Sequence, residues 1–423
     1  MYQKWIGDIL ENICIFEDNL FENFLPLTYS RPVFELKCGF KTIREKIQYY
    51  FPNSNLHLIM RDYLKPVFSK DSVVINGHPK GDVLFINGRI IMKERPSIKD
   101  EGIYYAKEKI AFIYVKEKNL ERINVSSYDN IEQLKKIGLP EFKISNIFFI
   151  EYPWDLIKEN KNEILREYRL YAQGESLTSL DVDIMGNKEL VFAGKNVETE
   201  KNIVFDVRKG PIFIGDNTRI RAFSRIAGPT YIGNSCLIKS GRIESCAIGD
   251  VCKIGGEIED TIFHGYSNKQ HYGFIGHSYL GEWVNLGAGT SNSDLKDTYG
   301  IIKYKVGGKT IDSGEQFFGC VIGDNAKSSI GTMIYTGKTI GFAAHIHGII
   351  YQDVPSFCMW AKSLGAEPSE FILDSAITTY SRAAERRGVK LTKEYEELMR
   401  NIFEATKEER KGCNVSHNKF CLG

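Results

Sequence analysis

This sequence predicts an α/β domain followed by a parallel β-helix and a helical tail, and three observations point that way. First, an aliphatic residue returns at six-residue steps through the middle of the chain. Val191, Val197 and Ile203 keep the step; so do Ile214, Ile220, Ile226, Ile232 and Ile238, then Ile248 and Ile254. After an interruption it resumes at Ile322, passes Ser328, and returns at Ile334, Ile340 and Ile346. A fixed short period names an architecture. One aliphatic in six fits a coil of three short strands whose inward side chains stack on the coils above and below. Second, residues 1 to about 170 lack this period. Apolar runs at 13–16, 57–60, 83–86, 110–115 and 147–150 alternate with charged, helix-like pieces, the pattern of a largely parallel sheet. Third, from about Pro368 the pattern turns helical and is broken at Gly388. The domains expected are therefore 1–172, 185–362 and 368–423.

The chain has 423 residues, enough for two or three domains. Its 55 Lys and Arg nearly balance 54 Asp and Glu, so no basic surplus points to nucleic acid or to a membrane surface. The first residues carry no apolar run fit for a signal peptide, and no later run reaches the length of a membrane span. Nine scattered cysteines without a CxxC fit reduced thiols in the cytoplasm. Cys246 and Cys252 lie one repeat step apart, which makes them coil positions rather than a disulfide.

Within the first domain, Pro153 and Asp155 open the helical run DLIKENKNEILREY with ordinary helix-start chemistry. Within the repeat, 303–319 (KYKVGGKTIDSGEQFFG) breaks the period and predicts a hairpin-like insertion. The last twelve residues, GCNVSHNKFCLG, are expected to fray.

The stretch 270–294, QHYGFIGHSYLGEWVNLGAGTSNSD, carries most of the chemistry. It resembles the active-site coil of left-handed β-helix acyltransferases. More narrowly it resembles the acetyltransferase half of the GlmU-like enzymes, which make UDP-N-acetylglucosamine from glucosamine 1-phosphate. The matching residues are His271, Phe274, Gly276, His277, Leu280, Gly281, Asn285, Gly287, Ala288, Gly289 and Thr290. His277 stands where that family has Asp, and Phe274 where it has Tyr. The resemblance implies acetyl-CoA as cosubstrate and a homotrimer with the acyl site between chains. His271 would be the general base, the role imidazole side chains most often take. Glu257 would orient it. Asn285 and Arg225 would hold the amino-sugar phosphate, and Gly287, Ala288 and Gly289 would present open backbone N–H groups to the acyl carrier. The family's Lys after the Glu falls at Glu259.

In the first domain, Pro26-Leu27-Thr28-Tyr29-Ser30-Arg31-Pro32, followed by Gly39-Phe40-Lys41-Thr42-Ile43, resembles the opening of sugar-1-phosphate nucleotidyltransferases. Arg31 and Lys41 would contact phosphate. The later Tyr152-Pro153-Trp154-Asp155-Leu156 resembles that family's second metal motif, which makes Asp155 a Mg²⁺ ligand. The first metal Asp is replaced near Asn87-Gly88-Arg89, leaving Asn87 as a weak ligand. Phe16-Glu17-Asp18-Asn19 occupies the place of the Gly-rich phosphate loop. A divergent GlmU-like branch shares these departures over nearly the whole chain.

The resemblance as a whole implies acetylation of glucosamine 1-phosphate and Mg²⁺-dependent nucleotidyl transfer from UTP. Its alternatives are another nucleotide-sugar product, such as that of a thymidylyltransferase-like enzyme, or an acyltransferase whose first domain has lost its reaction. A zinc protein of the γ-carbonic-anhydrase kind is a rival on the same fold, because five of the eight histidines (His264, His271, His277, His345 and His347) lie between 264 and 347. A non-catalytic binding module is the remaining class.

Overall fold

The computed structural model describes residues 10–69, 73–75, 77, 79–120, 138–172 and 181–421. The expectation about a leader falls partly on residues 1–9, outside the described residues. The chain divides into two compact units: 1–24, 30–36 and 41–151 form the first, and 25–29, 37–40 and 152–423 the second. Among the described residues no helix is long and apolar enough to cross a membrane.

The first unit is built on a seven-stranded sheet. Its order is Glu141–Lys143, Gly102–Ala106, Lys109–Val115, Val83–Asn87, Asn12–Phe16, Asn55–Ile59, Val74–Ile75. Four of the five apolar runs are strands of this sheet. The fifth contributes Phe148–Phe149, which pairs antiparallel with Ile90–Ile91 apart from it. The sheet is more mixed than expected, because Lys109–Val115 runs antiparallel to both its neighbours. The cause is local: Lys107, at φ 57°, turns the chain back on itself directly after Gly102–Ala106. Cys14, Phe16, Ile59, Phe85 and Ile113 fill the core.

The second unit is a left-handed parallel β-helix with three strands per coil, extended by helices. Its inward ladders hold the periodic aliphatics together with core residues that fall outside the period. Ile214, Ile232, Ile248, Phe263, Leu280, Ile322 and Ile340 stack in register on one face. Phe205, Ile226, Ile243, Ile258 and Ile275 stack on another. On the third, Ile220, Ile238 and Ile254 are followed by Lys269. Many corners turn through a left-handed residue, which costs a non-glycine residue roughly 1–2 kcal/mol. One corner column reads Asn196, Asn217, Ser235, Val251, Tyr266, Trp283, Asn325, Ala343 and Phe357, all at positive φ. Cys246 and Cys252 are fully buried core residues, as expected.

The helix Pro153–Tyr171, inside the expected first domain of 1–172, makes its contacts with this second unit. Its buried polar face explains why. Asn160 Oδ1 accepts the Gly39 N–H at 2.8 Å and Glu167 Oε2 that of Phe40 at 2.6 Å. Phe40 then stacks on Tyr231 of the β-helix with centroids 4.3 Å apart, and Trp154 packs edge-on against Phe318. The insertion is the expected hairpin: Lys303–Val306 pairs with Lys309–Asp312 around Gly307 and Gly308, both at positive φ. The tail forms helices Leu373–Glu385, Lys393–Ala405 and Lys407–Gly412, with Gly388 at φ 70° between the first two. Part of the segment expected to fray is docked. Ser416 exchanges backbone hydrogen bonds with Pro368 and Glu370, and Val415 packs on the core.

Candidate active site

The turn that carries His271 is held from below by a buried cation. Lys269 takes a position in the third inward ladder that coils above it fill with isoleucine, and its side chain has no exposed surface. A charged group there is costly unless it is hydrogen-bonded. Its Nζ donates to the carbonyls of His271 and Tyr272, the latter at 3.1 Å, and lies 3.4 Å from that of Gly255. Burial lowers its pKa to about 8. The His271–Tyr272 turn is pinned from its far side as well, since Tyr272 O accepts the Gly289 N–H at 3.0 Å. His271 itself is exposed, and its imidazole meets no hydrogen-bond partner among the described residues. Asn292 and Ser328 are two further polar rungs near this level. Asn292 bonds both polar atoms of Gly276, and Ser328 bonds Thr290 and the Gly287 N–H. Reading for aliphatic spacing misses Lys269, because the period marks its position as a gap.

The other expected groups stand as follows. Glu257 is exposed, and its carboxylate faces Arg242 Nη1 at 3.3 Å on the neighbouring coil. Register puts it beside Phe274 and not beside His271, so it does not orient the imidazole within this chain. Arg225 is engaged by Asp206, Nη2 to Oδ2 at 2.6 Å, and the guanidiniums of Arg208 and Arg225 hold that carboxyl well below the usual range. Asn285 is exposed and accepts from Asn268 at 3.2 Å.

The three small residues after Asn285 are not all open. Gly287 N–H donates to Ser328 Oγ at 2.9 Å, and Gly289 N–H is the one held by Tyr272. Their glycine character has a packing cause. A Cβ on Gly287 would lie 2.6 Å from Ser329, and Gly289, at φ 77°, sits in the corner column with Gly256, Gly273, Gly331 and Gly348. Only the Ala288 N–H of the three lacks an acceptor among the described residues.

His277 turns the next corner at φ 45° and lies between two carboxylates. Nδ1 is 2.8 Å from Asp294 and Nε2 3.5 Å from Asp260, which also pairs with Lys161. The five histidines considered for zinc do not converge. His264 pairs with Glu282, the half-buried His345 has its pKa pushed down to about 3 by desolvation, and His347 packs on Phe420. No cluster of three metal-ligating side chains occurs among the described residues.

In the first unit the segment replacing the phosphate loop is closed by internal ion pairs. Glu17, with no exposed surface, takes Arg61 on both oxygens (2.8 and 3.1 Å) and the Val33 N–H at 2.9 Å. Asp18 takes Arg89 Nε and Nη2, at 2.8 and 2.7 Å, and Asn87 Nδ2 at 3.0 Å. Asn87 Oδ1 already accepts the Arg89 N–H at 3.0 Å. Arg31 is buried, and Lys41 pairs with Glu45 at 3.4 Å beside a capped helix start. Asp155 lies in the second unit, where its Oδ2 caps the Tyr152 N–H at 3.0 Å. The donors of the first unit are thus spent on arginine and backbone, and they do not fit a resident Mg²⁺.

The sugar nucleotidyl transferase family model matches residues 13–176. A bifunctional sugar-1-phosphate nucleotidylyltransferase/acetyltransferase of Sulfurisphaera tokodaii is 25% identical over 278 residues, 62% of each chain. The bifunctional protein GlmU of Methanocaldococcus jannaschii is 24% identical, with 60% of this chain and 58% of that protein covered. That of Pelobacter propionicus is 29% identical over 25% of this chain and 30% of its own length. The chain therefore covers less than two thirds of these relatives. A UDP-N-acetylglucosamine acyltransferase of Francisella novicida aligns over 55% of this chain and 87% of its own at 16% identity, with a TM-score of 0.28, too loose a likeness to carry an argument.

Proposed function

We propose, taking the chain as a divergent GlmU-like protein, that it is a bifunctional transferase of amino-sugar nucleotide synthesis. The acetyl half rests on one observation: an exposed imidazole, His271, without a hydrogen-bond partner among the described residues, on a turn that a buried lysine clamps in place. In this reading the amine of glucosamine 1-phosphate attacks the thioester carbonyl of acetyl-CoA. The C–N bond forms, His271 takes the proton from nitrogen, and that proton goes to the departing thiolate. The Ala288 N–H is the donor left to the developing oxyanion. Asn285 and Arg225 serve the sugar phosphate, Arg225 by exchanging Asp206 for phosphate. Glu257 acts only if a second chain brings it near His271.

That second chain is part of the proposal. Ile330, Met333, Tyr335, Ile349 and Tyr351 are all exposed on neighbouring coils and supply an apolar surface that a homotrimer would cover. A monomeric mass at micromolar concentration would remove this part. The nine cysteines, free among the described residues, fit work in the reducing cytoplasm.

The nucleotidyl half, with UTP as donor, rests on similarity of the first unit to its family. No resident metal is assigned; Mg²⁺ would arrive with the triphosphate, and Arg31 and Lys41 remain the candidate phosphate contacts. One observation favours a second reading, an acyltransferase whose first unit keeps only the fold: the Glu17–Arg61 and Asp18–Arg89 pairs occupy the phosphate-loop segment. A coupled assay separates these readings, using glucosamine 1-phosphate, acetyl-CoA and each nucleoside triphosphate. Thiol release with nucleotide consumption supports the full proposal, and thiol release alone supports the second reading. Without thiol release from any amino-sugar phosphate, the acetyl assignment is wrong.

A further inference from the structure

One cavity in the second unit shares only Asn285 with the groups assigned to the reaction above. It has a volume of about 240 Å³ and lies between the third face of the β-helix and the helix Leu373–Glu385. Four cations line it: Lys327 from the β-helix, and Arg382, Arg386 and Arg387 from the end of the helix. No carboxylate lines it, and none of the four forms an ion pair among the described residues. The helix C-terminus offsets part of this charge, as carbonyl ends do for nearby cations. It leaves the rest. Burial lowers the pKa of Lys327 to about 8, and burial together with Arg386 lowers that of Arg387. Lys253 nearby is lowered by burial and then by Arg387 and Arg386. Arg387 Nη2 donates to Asn268 Oδ1 at 2.6 Å, while its Nε is buried without a partner among the described residues. A buried donor on a charged group is costly to leave unmet. Tyr266, stacked on Trp283 with centroids 4.5 Å apart, supplies a flat aromatic wall.

We infer that this cavity binds the phosphate or diphosphate group of a nucleotide-type small molecule. Guanidinium pairs match phosphate oxygens, Lys327 adds a point charge from the opposite wall, and Tyr266 offers a surface for a ring. Two sources carry this chemistry: a nucleoside triphosphate, or the phosphates of an acyl-CoA reaching past Asn285, which lines the same cavity. The inference does not need acetyl transfer to occur, because binding is read without turnover.

The test is calorimetric titration of the full chain with UTP, coenzyme A, dephospho-coenzyme A and inorganic pyrophosphate. The wild type is compared with an Arg382→Gln/Arg386→Gln double variant. Both residues are exposed, so the variant is expected to fold, and an unchanged unfolding midpoint checks this. The expected result is binding of at least one probe, weakened tenfold or more in the double variant and falling with added salt. Loss of affinity from coenzyme A to dephospho-coenzyme A would identify the 3′-phosphate as the bound group, and preference for UTP the triphosphate. Absence of binding by all four probes, or binding equal in the two proteins, would overturn the inference.

Discussion

Two segments with opposite electrostatic logic carry the chemistry expected of this chain. In the first unit, Glu17 and Asp18 are each closed by a bidentate arginine, and the charges are spent on one another. In the second, Lys269 spends its charge on the backbone beneath a turn and leaves His271 above it with no partner among the described residues. A closed buried pair fixes a shape; a clamped but unpaired imidazole is available for proton transfer. The difference teaches where to look for reactivity: beside the satisfied buried charge, not on it.

The largest expected effect attacks the open side of this contrast. His271→Ala should lower acetyl transfer by roughly 10²- to 10⁴-fold with no change in unfolding midpoint, the usual size of a general base. Near-normal activity there, with His277→Ala inactive, would move the base to the Asp260–His277–Asp294 corner.

On the closed side, Arg61→Met leaves Glu17 buried and uncompensated. It should cost the first unit about 3–5 kcal/mol in denaturant unfolding, and Glu17→Leu/Arg61→Met should recover much of that loss. If Arg61→Met unfolds like wild type, the pair is not what closes the loop.

Lys269→Met tests the clamp. Freeing the turn should cut kcat by up to about 10²-fold, the scale set by small misplacement of a reacting group. Stability should hold or rise, since an apolar rung replaces a buried charge. The sign with pH follows from a folded pKa near 8 lying below the unfolded value near 10.5. Between those pH values the unfolded chain binds the extra proton, so wild-type stability gains as pH rises. Any advantage of Lys269→Met at pH 7 should therefore shrink toward pH 10. A constant gap would mean that this lysine does not titrate as described. The smallest effect is expected at Lys41→Ala, which removes a half-exposed pair with Glu45 and should cost no more than about 0.5 kcal/mol.

Much of the β-helix was legible because six-residue spacing survives wherever coils keep their length. It fails where they shorten: Ile232 pairs Ile248, and Ile248 pairs Phe263, so Ile243, Ile258 and Ile275 fall out of step though they are core. The His271 turn was legible as a motif. Its clamp was not, because Lys269 occupies a slot where only aliphatics were sought. Gly287 and Gly289 read as open backbone, but coil stacking and a left-handed corner account for them. The pairs of Glu17 with Arg61 and Asp18 with Arg89 join residues 44 and 71 positions apart, which local pattern does not reveal. The helix Pro153–Tyr171 was legible as a helix; its packing was not, since Gly39 and Phe40, through which it meets Tyr231 of the β-helix, lie far upstream.

The polar rungs also bear on how such a solenoid finds its count. A stack of near-identical aliphatic layers tolerates slippage, because each layer fits its neighbour's place almost as well. Lys269, Asn292 and Ser328 do not fit other layers. Moved by one coil, the ammonium would lie beside isoleucine or leucine, far from the two carbonyls of its own turn, and Asn292 would lose both atoms of Gly276. The same side chains that steady the His271 turn thus number the coils, and a chain that closes around them has a single way to be in phase.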